Sequence, residues 1–312
     1  GSTLTAGGDV NMVATGKNGA SGDLHITGSG VTGNNVTLVA QNDLILNAAS
    51  NNRDQKSSNN SSGWAAGVHV SVGKETGIGV QASGYQSKGG DDGKTTEHVN
   101  SRVNARDDLS MSSGRDMVIA GAQALGDKIT ADAGRDLLIT SLQDTDDYRS
   151  WQKDVSGGAS FTFGTMTGSA SLNISNSKTK SEYASVGEQS GLFAGEKGFD
   201  ITVGKHTQLD GAVIASTSTA DKNSLETGTL GWRDIHNNAE YSSDTKGISA
   251  GYAGDKNGSG GSAVPIIGIG AHGDTSGTTH SAIADGAITI REKENQQQDV
   301  VQLSRDTNNA NG

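Results

Sequence analysis

The chain has 312 residues, 46 glycines, one proline, no cysteine and a net charge of −11, with 32% apolar and 4% aromatic residues. The acidic balance argues against nucleic acid as a partner, because phosphate binding needs clustered Lys and Arg, and the lack of cysteine excludes disulfides and thiolate metal sites. A compact globule is normally closer to half apolar, so the chain either stays unfolded or shares a thin core among many short strands; the patterning of its apolar residues favours the second.

In chain order, one short unit recurs: Asp or Asn, an apolar residue, any residue, an apolar residue. It appears as Asp9-Val10-Asn11-Met12, Asp23-Leu24-His25-Ile26, Asn35-Val36-Thr37-Leu38 and Asp43-Leu44-Ile45-Leu46. It returns as Asp108-Leu109-Ser110-Met111, Asp116-Met117-Val118-Ile119, Asp136-Leu137-Leu138-Ile139 and Asp200-Ile201-Thr202-Val203. Apolar residues two apart share one face of a strand, so each unit is a very short strand with an inward pair. Leu109 to Met117 spans 8 residues and Met117 to Ile129 spans 12, and Gly114-Arg115-Asp116 recurs as Gly134-Arg135-Asp136 one 20-residue period later. A fixed period of that size with short strands and Gly-rich turns signals a solenoid. The expectation is an all-β right-handed parallel β-helix covering 1–312, whose stacked coils share a narrow column of Val, Ile, Leu and Ala. A glycine before the strand Asp supplies a positive φ at the turn. A β-sandwich has no reason to keep an 8/12 period.

Three stretches break the period, approximately 51–104, 145–192 and 239–283. Each has a polar lead-in, two alternating segments about a Gly-rich centre, and a polar lead-out, the pattern of an antiparallel hairpin. The first hairpin carries Val68, Val70, Val72, Ile78 and Val80 on one face; the second carries Phe161, Phe163, Leu172 and Ile174. These nine are the candidate contact residues for a partner or a membrane. A spanning strand needs about 10 residues, and the alternating segments are mostly shorter, so the expectation is that each hairpin rests its apolar face on the flank of the rod. Residues 291–312 read as a polar tail. With no starting Met and no apolar leader, the sequence reads as a piece of a longer chain.

Chemistry is sparse. Asp116 and Asp136 would stack one coil apart, but each follows an Arg at a turn, which points to a charge ladder rather than a catalytic pair. His272, Asp274 and His280 form one close cluster, read as an exposed loop and not a metal site. Asp91, Asp92, Asp144, Asp146 and Asp147 lack the nonapeptide of calcium-binding β-rolls and read as solvated loops. Trp64, Trp151 and Trp232 are expected to pack under the inserts. No catalytic residues, cofactor or metal are assigned.

Glu188-Gln189-Ser190-Gly191-Leu192-Phe193-Ala194-Gly195, Gly198-Phe199-Asp200-Ile201-Thr202-Val203 and Leu209-Asp210-Gly211-Ala212-Val213-Ile214-Ala215-Ser216 resemble the haemagglutinin repeat of filamentous-haemagglutinin-like exoproteins. Asn223-Ser224-Leu225-Glu226-Thr227-Gly228-Thr229-Leu230 and Asp234-Ile235 continue the likeness. Within that group, Ser281-Ala282-Ile283-Ala284-Asp285-Gly286, Lys293 to Asp299 and Leu303 to Thr307 resemble the end of the distal repeat region of contact-dependent growth inhibition (CdiA-like) exoproteins. The resemblance implies two-partner secretion through an outer-membrane transporter and display on the bacterial surface as a monomeric segment of a rod. It further implies contact with a target cell's outer membrane or a surface receptor, in support of delivering a C-terminal toxin. A filamentous-haemagglutinin-type adhesin for host cells is the alternative, and a carbohydrate-active β-helix enzyme a remote one.

Overall fold

The computed structural model describes residues 1–17, 21–71, 77–268 and 270–311. It is nearly all β, with one large curled parallel sheet and a second, antiparallel sheet.

In the parallel sheet the short strands stack in register as three ladders, two of them built from the Asp/Asn units. One begins with Leu24–Thr27, Leu44–Asn47, Met117–Ala120 and Leu137–Thr140, and continues through residues 207–210 and 230–233. Along it Ile26, Leu46, Ile119, Ile139 and Leu209 form one buried column. A second ladder stacks Leu38, Met111, Ala131, Ile201 and Leu225, and a third stacks Val31, Val103, Ala124, Leu192, Ile214 and Ile283. All of these side chains belong to one continuous core. Each coil contributes only two or three inward residues per ladder, which is how a chain with so few apolar residues fills a core.

The Asp of the repeat has a specific task. Asp23 Oδ1 accepts the backbone N–H of Asp43, Asp43 accepts that of Asp116, Asp116 that of Asp136, and Asp136 that of His206, at 3.0–3.3 Å. Asp9 and Asn35 do the same in the second ladder. Each carboxylate or amide thus caps the strand start of the next coil, where the peptide N–H would otherwise lack a partner. The arginines add charge: Arg135 forks onto Asp116 through Nε at 2.7 Å and through Nη2, and Arg115 reaches toward Asp43. The hydrogen bond from Arg135, opposed by partial burial, holds the Asp116 carboxyl below its ordinary value.

The turn glycines divide into two kinds. Gly22, before Asp23, has φ +105° as expected, but Gly114 and Gly134 do not have positive φ. They are glycines because the coils approach closely. A Cβ on Gly114 would strike the carbonyl of Gln41, and one on Gly134 the carbonyl of Gly114.

The antiparallel sheet comes from the three departures. We call them ribbons: Ala49–Ser71 with Gly77–Val99, Gln143–Thr162 with Thr167–Val186, and Ile235–Asp255 with Gly258–Ile267 and Ala271–Thr279. The polar lead-ins are not loops; they are the lower halves of strands 20 to 23 residues long. The ribbons also do not lie down individually on the coils. Strand 77–99 pairs with 143–162, and 167–186 with 235–255, so the three ribbons form one seven-stranded sheet.

Stacking explains this pairing. The ribbons leave after Leu44–Asn47, after Leu137–Thr140 and after residue 233, which are alternate steps of one ladder. Strands in a sheet lie about 4.8 Å apart, so two coils rise by about 9.6 Å, the width of one two-stranded ribbon. A ribbon on every second coil therefore tiles into an unbroken sheet. Buried serines close the corners where the chain leaves or rejoins: Ser101 Oγ donates to Asn47 O at 2.7 Å, Ser141 Oγ to Gly211 O at 2.6 Å and Ser281 Oγ to Arg233 O at 2.7 Å.

The residues read as a polar tail lie over the last coil. Gln296 and Gln298 bond the backbone of Leu230 and Trp232 in both directions at 2.6–3.0 Å, so their amides stand in for a further strand. Leu303 joins the core.

Candidate functional site

Side chains alternate between the faces of a strand, and the register carries that alternation unbroken across the ribbon sheet. One face is apolar in successive rows. Val70 and Ile78 lie nearest the tip, with Phe163 beside them through its N–H to Ile78 O at 2.9 Å. Next come Val68, Val80, Phe161, Gly168 and Gly254, then Ala66, Ala82, Ala159, Ala170 and Tyr252. Trp64, Gly84, Gly157, Leu172 and Ala250 follow, and then Val155, Ile174, Ile248 and Pro265. Phe161 and Phe163 pack edge to face with centroids 4.9 Å apart. From Val155 to Phe163 the stretch is about 27 Å tall, and the five spacings between six strands make it about 24 Å across, with Ser62, Gln86 and Ser259 as polar members of its rows toward the edges.

The opposite face is mostly small and polar, with Tyr85 and Val264 as its large exceptions. Ser160, Ser169 and Gln81 share one row; Ser83, Gly158, Ser171 and Gly251 the next; Ser156, Asn173 and Ser249 a third. Its side chains bond to one another: Ser160 to Ser169 at 2.7 Å, Ser249 Oγ to Asn173 Oδ1 at 2.5 Å, His69 Nε2 to Thr162 Oγ1 at 3.2 Å. Ser87 and Gln152 donate to Asp154 at 2.5 and 2.9 Å and hold its carboxyl below the ordinary value.

Eight of the nine candidate contact residues therefore fall on one face of one sheet, in two of its three ribbons; Val72 lies outside the described residues. They do not rest on the coils. Val68 is 70% exposed and Val70 63%, and Ile78, Phe163 and Leu172 are exposed as well. The reason is the edge-to-edge pairing, which satisfies the ribbons' backbones without any contact between their faces and the rod. Trp64 is 85% exposed, contrary to the expected packing, whereas Trp232 does pack against the core. Trp151 is half-exposed.

Asp91, Asp92, Asp144, Asp146 and Asp147 lie in strands and not in loops. Asp144 accepts from His98 at 2.7 and 3.2 Å and stitches the first two ribbons together. His280 turns to Asp234 at 2.7 Å, away from His272 and Asp274. Asp116 and Asp136 are engaged in the coil ladder. Among the described residues, no three His, Asp or Glu side chains converge as a metal ion would require, and no helix is long and apolar enough to cross a membrane.

Sequence reasoning missed the basic rows below the apolar face. Lys88, Lys153 and Lys246 share one row with Asn60 and Asn176; Trp151 and Lys178 lie in the next, opposite Asp244. Period-2 counting past the apolar segments would have found them, since Lys153 precedes Val155 by two and Lys246 precedes Ile248 by two.

A profile described as Hemagglutinin repeat matches residues 1–155. The chain belongs to the haemagglutinin-repeat family. It is of the filamentous-haemagglutinin type and resembles CdiA exoproteins along its whole length. It is 59% identical over 314 residues to the "tRNA nuclease CdiA" of Yersinia mollaretii, covering all of this chain and 10% of that protein. It is 47% identical to the "16S rRNA endonuclease CdiA" of Enterobacter cloacae, again covering all of this chain and 9% of the relative. With the "Deoxyribonuclease CdiA" of Yersinia pseudotuberculosis the identity is 42%, over all of this chain and 29% of that protein. The chain thus spans about a tenth of the length of most of these relatives. No solved structure matches the chain.

Proposed function

We propose that this chain is a non-catalytic segment of a large secreted surface exoprotein: a right-handed parallel β-helix carrying three hairpin inserts. Its role is to support contact-dependent delivery of a C-terminal toxin across a target cell's outer membrane. Three relatives named for three different nucleolytic activities share this region, which fits a common delivery part better than a catalytic one. On this reading the parent protein leaves its own cell through an outer-membrane two-partner-secretion transporter and is displayed at the surface.

The observation that carries the reading is the amphipathic sheet. Its apolar face fills most of a rectangle of about 650 Å², a patch comparable to the largest that a soluble monomer normally leaves in water. Its height of about 27 Å matches the apolar band of about 25 Å around outer-membrane barrels. Apolar rows on one face and Ser, Thr, Asn and Gly on the other are the alternation such barrels use. A bilayer does not tolerate open sheet edges, and six strand widths are fewer than the eight strands of the smallest barrels. Insertion therefore recruits additional strands to the edges at 49–71 and at 258–267 with 271–279.

The test is the Phe161→Ser/Leu172→Ser/Ile174→Ser variant of the full exoprotein. We expect normal secretion, an unchanged coil melt and loss of toxin delivery, with the purified segment no longer floating with lipid vesicles. Undiminished delivery by that variant would sink the proposal.

A further inference from the structure

The ribbon sheet has a second chemical boundary, below its apolar rows, and this inference rests on the membrane reading above. Lys88, Lys153 and Lys246 stand in the first row beneath Val155, Ile174 and Ile248, and Lys178 stands in the next beside Trp151. All four lysines are exposed. Among the described residues none of the four has an ion-pair partner, although Asp244 lies opposite Lys178 in the register. One row nearer the coils the situation reverses. Lys180 pairs with Glu182 at 2.7 Å, Arg149 with Asp147 and Glu182 at 3.4 Å, and Lys56 with Asp92 at 3.7 Å. In a chain of net charge −11, unpaired cations are gathered where the apolar face ends.

We propose that this row binds the phosphate groups of anionic lipid headgroups and so sets the depth to which the sheet enters a leaflet. The geometry fits. With the apolar rows in hydrocarbon, the lysines lie at headgroup level, where long cationic side chains and tryptophan are favoured. Each ammonium near an anionic surface adds to the attraction, and paired lysines could not do so without first breaking their pairs. The spacing suits a lipid surface better than a single soluble anion, because the four cations run along rows crossing several strands instead of converging on one point.

The experiment uses the whole 312-residue segment carrying Trp151→Phe and Trp232→Phe, so that Trp64, inside the apolar face, is the only emitter. It is mixed with phosphatidylcholine vesicles or with phosphatidylcholine–phosphatidylglycerol vesicles. Blue-shifted Trp64 emission reports entry, and titration gives affinity. We expect at least about tenfold tighter binding to the anionic vesicles, weakening as salt rises. In the Lys88→Gln/Lys153→Gln/Lys178→Gln/Lys246→Gln variant that preference should fall to near unity. The coil control Lys17→Gln/Lys128→Gln/Lys205→Gln/Lys293→Gln should keep it. Entry that is equal in both vesicle types, or a preference that survives the quadruple change, overturns the headgroup inference while leaving the membrane reading intact. A Trp64 that stays in water with every vesicle overturns both.

Discussion

The coils and the ribbons use the same alternation of apolar and polar residues and arrive at opposite ends. Leu137 and Leu172 each sit two residues before an Ile that shares their face, yet Leu137 is 1% exposed and Leu172 is 47% exposed. The inward faces of the three parallel ladders meet in one continuous core. The ribbon sheet is held by its backbone ladder, by polar pairs on one face and by the pairing of ribbon with ribbon, and no described residue covers the other face. Alternation sets which side chains share a face; topology decides whether that face is buried.

The largest expected effect is the one that separates the two regions most sharply. Leu137→Asp places an unpaired carboxylate in the column with Met117, at a cost of about 4 kcal/mol or more, and because coils depend on their neighbours the damage should spread along the rod. Leu172→Asp should change the melting transition by less than about 0.5 kcal/mol. Equal losses in thermal melts of the two variants would abolish the distinction between core and open face.

A smaller effect tests the close approach of coils. Gly134→Ala drives a methyl group into the Gly114 carbonyl, and overpacking of this kind costs about 2 kcal/mol. A neutral result in denaturant titration would mean that the coils can part there without loss.

The smallest effect concerns the charge ladder. Asp116 has a folded-state pKa below its unfolded value, so its contribution is present above the unfolded pKa and disappears as pH falls through the folded one. Solvent screening limits it to about 1 kcal/mol. Asp116→Asn should therefore cost stability at neutral pH and narrow the gap to the parent chain as the pH drops below about 4. A gap that stays constant with pH would mean that the charge of the Asp116 carboxylate contributes nothing to the coil stack.

Much of the coil architecture was legible because each unit announces itself: an Asp or Asn that caps the next coil, then an inward pair. The spacing of Gly114 and Gly134 gave the period, though not the reason for glycine, which lies in a carbonyl one coil away in space, that of Gln41 for Gly114 and that of Gly114 for Gly134. Within each hairpin the common face was legible from period 2, with Val68, Val70, Ile78 and Val80 in the first and Phe161 and Leu172 in the second. The length of the ribbon strands was not, because Asn51 to Ser62 and Asp144 to Asp154 have no apolar alternation and are strands only through pairing with their neighbours. Nor was the joining of ribbons into one sheet, which depends on the number of coils between exits.

That number amounts to a spacing rule. Ribbons leave the ladder at alternate coils, so the sheet is continuous only while two coils separate successive exits. Removing the single coil 115–134 would bring the first two exits to adjacent levels, where two ribbons four strands wide would compete for the width of two or three. Inserting one coil would open a gap of a strand's width and expose two fresh edges. The unit by which such a molecule can lengthen without tearing its sheet is therefore not the 20-residue coil but a pair of coils together with one ribbon.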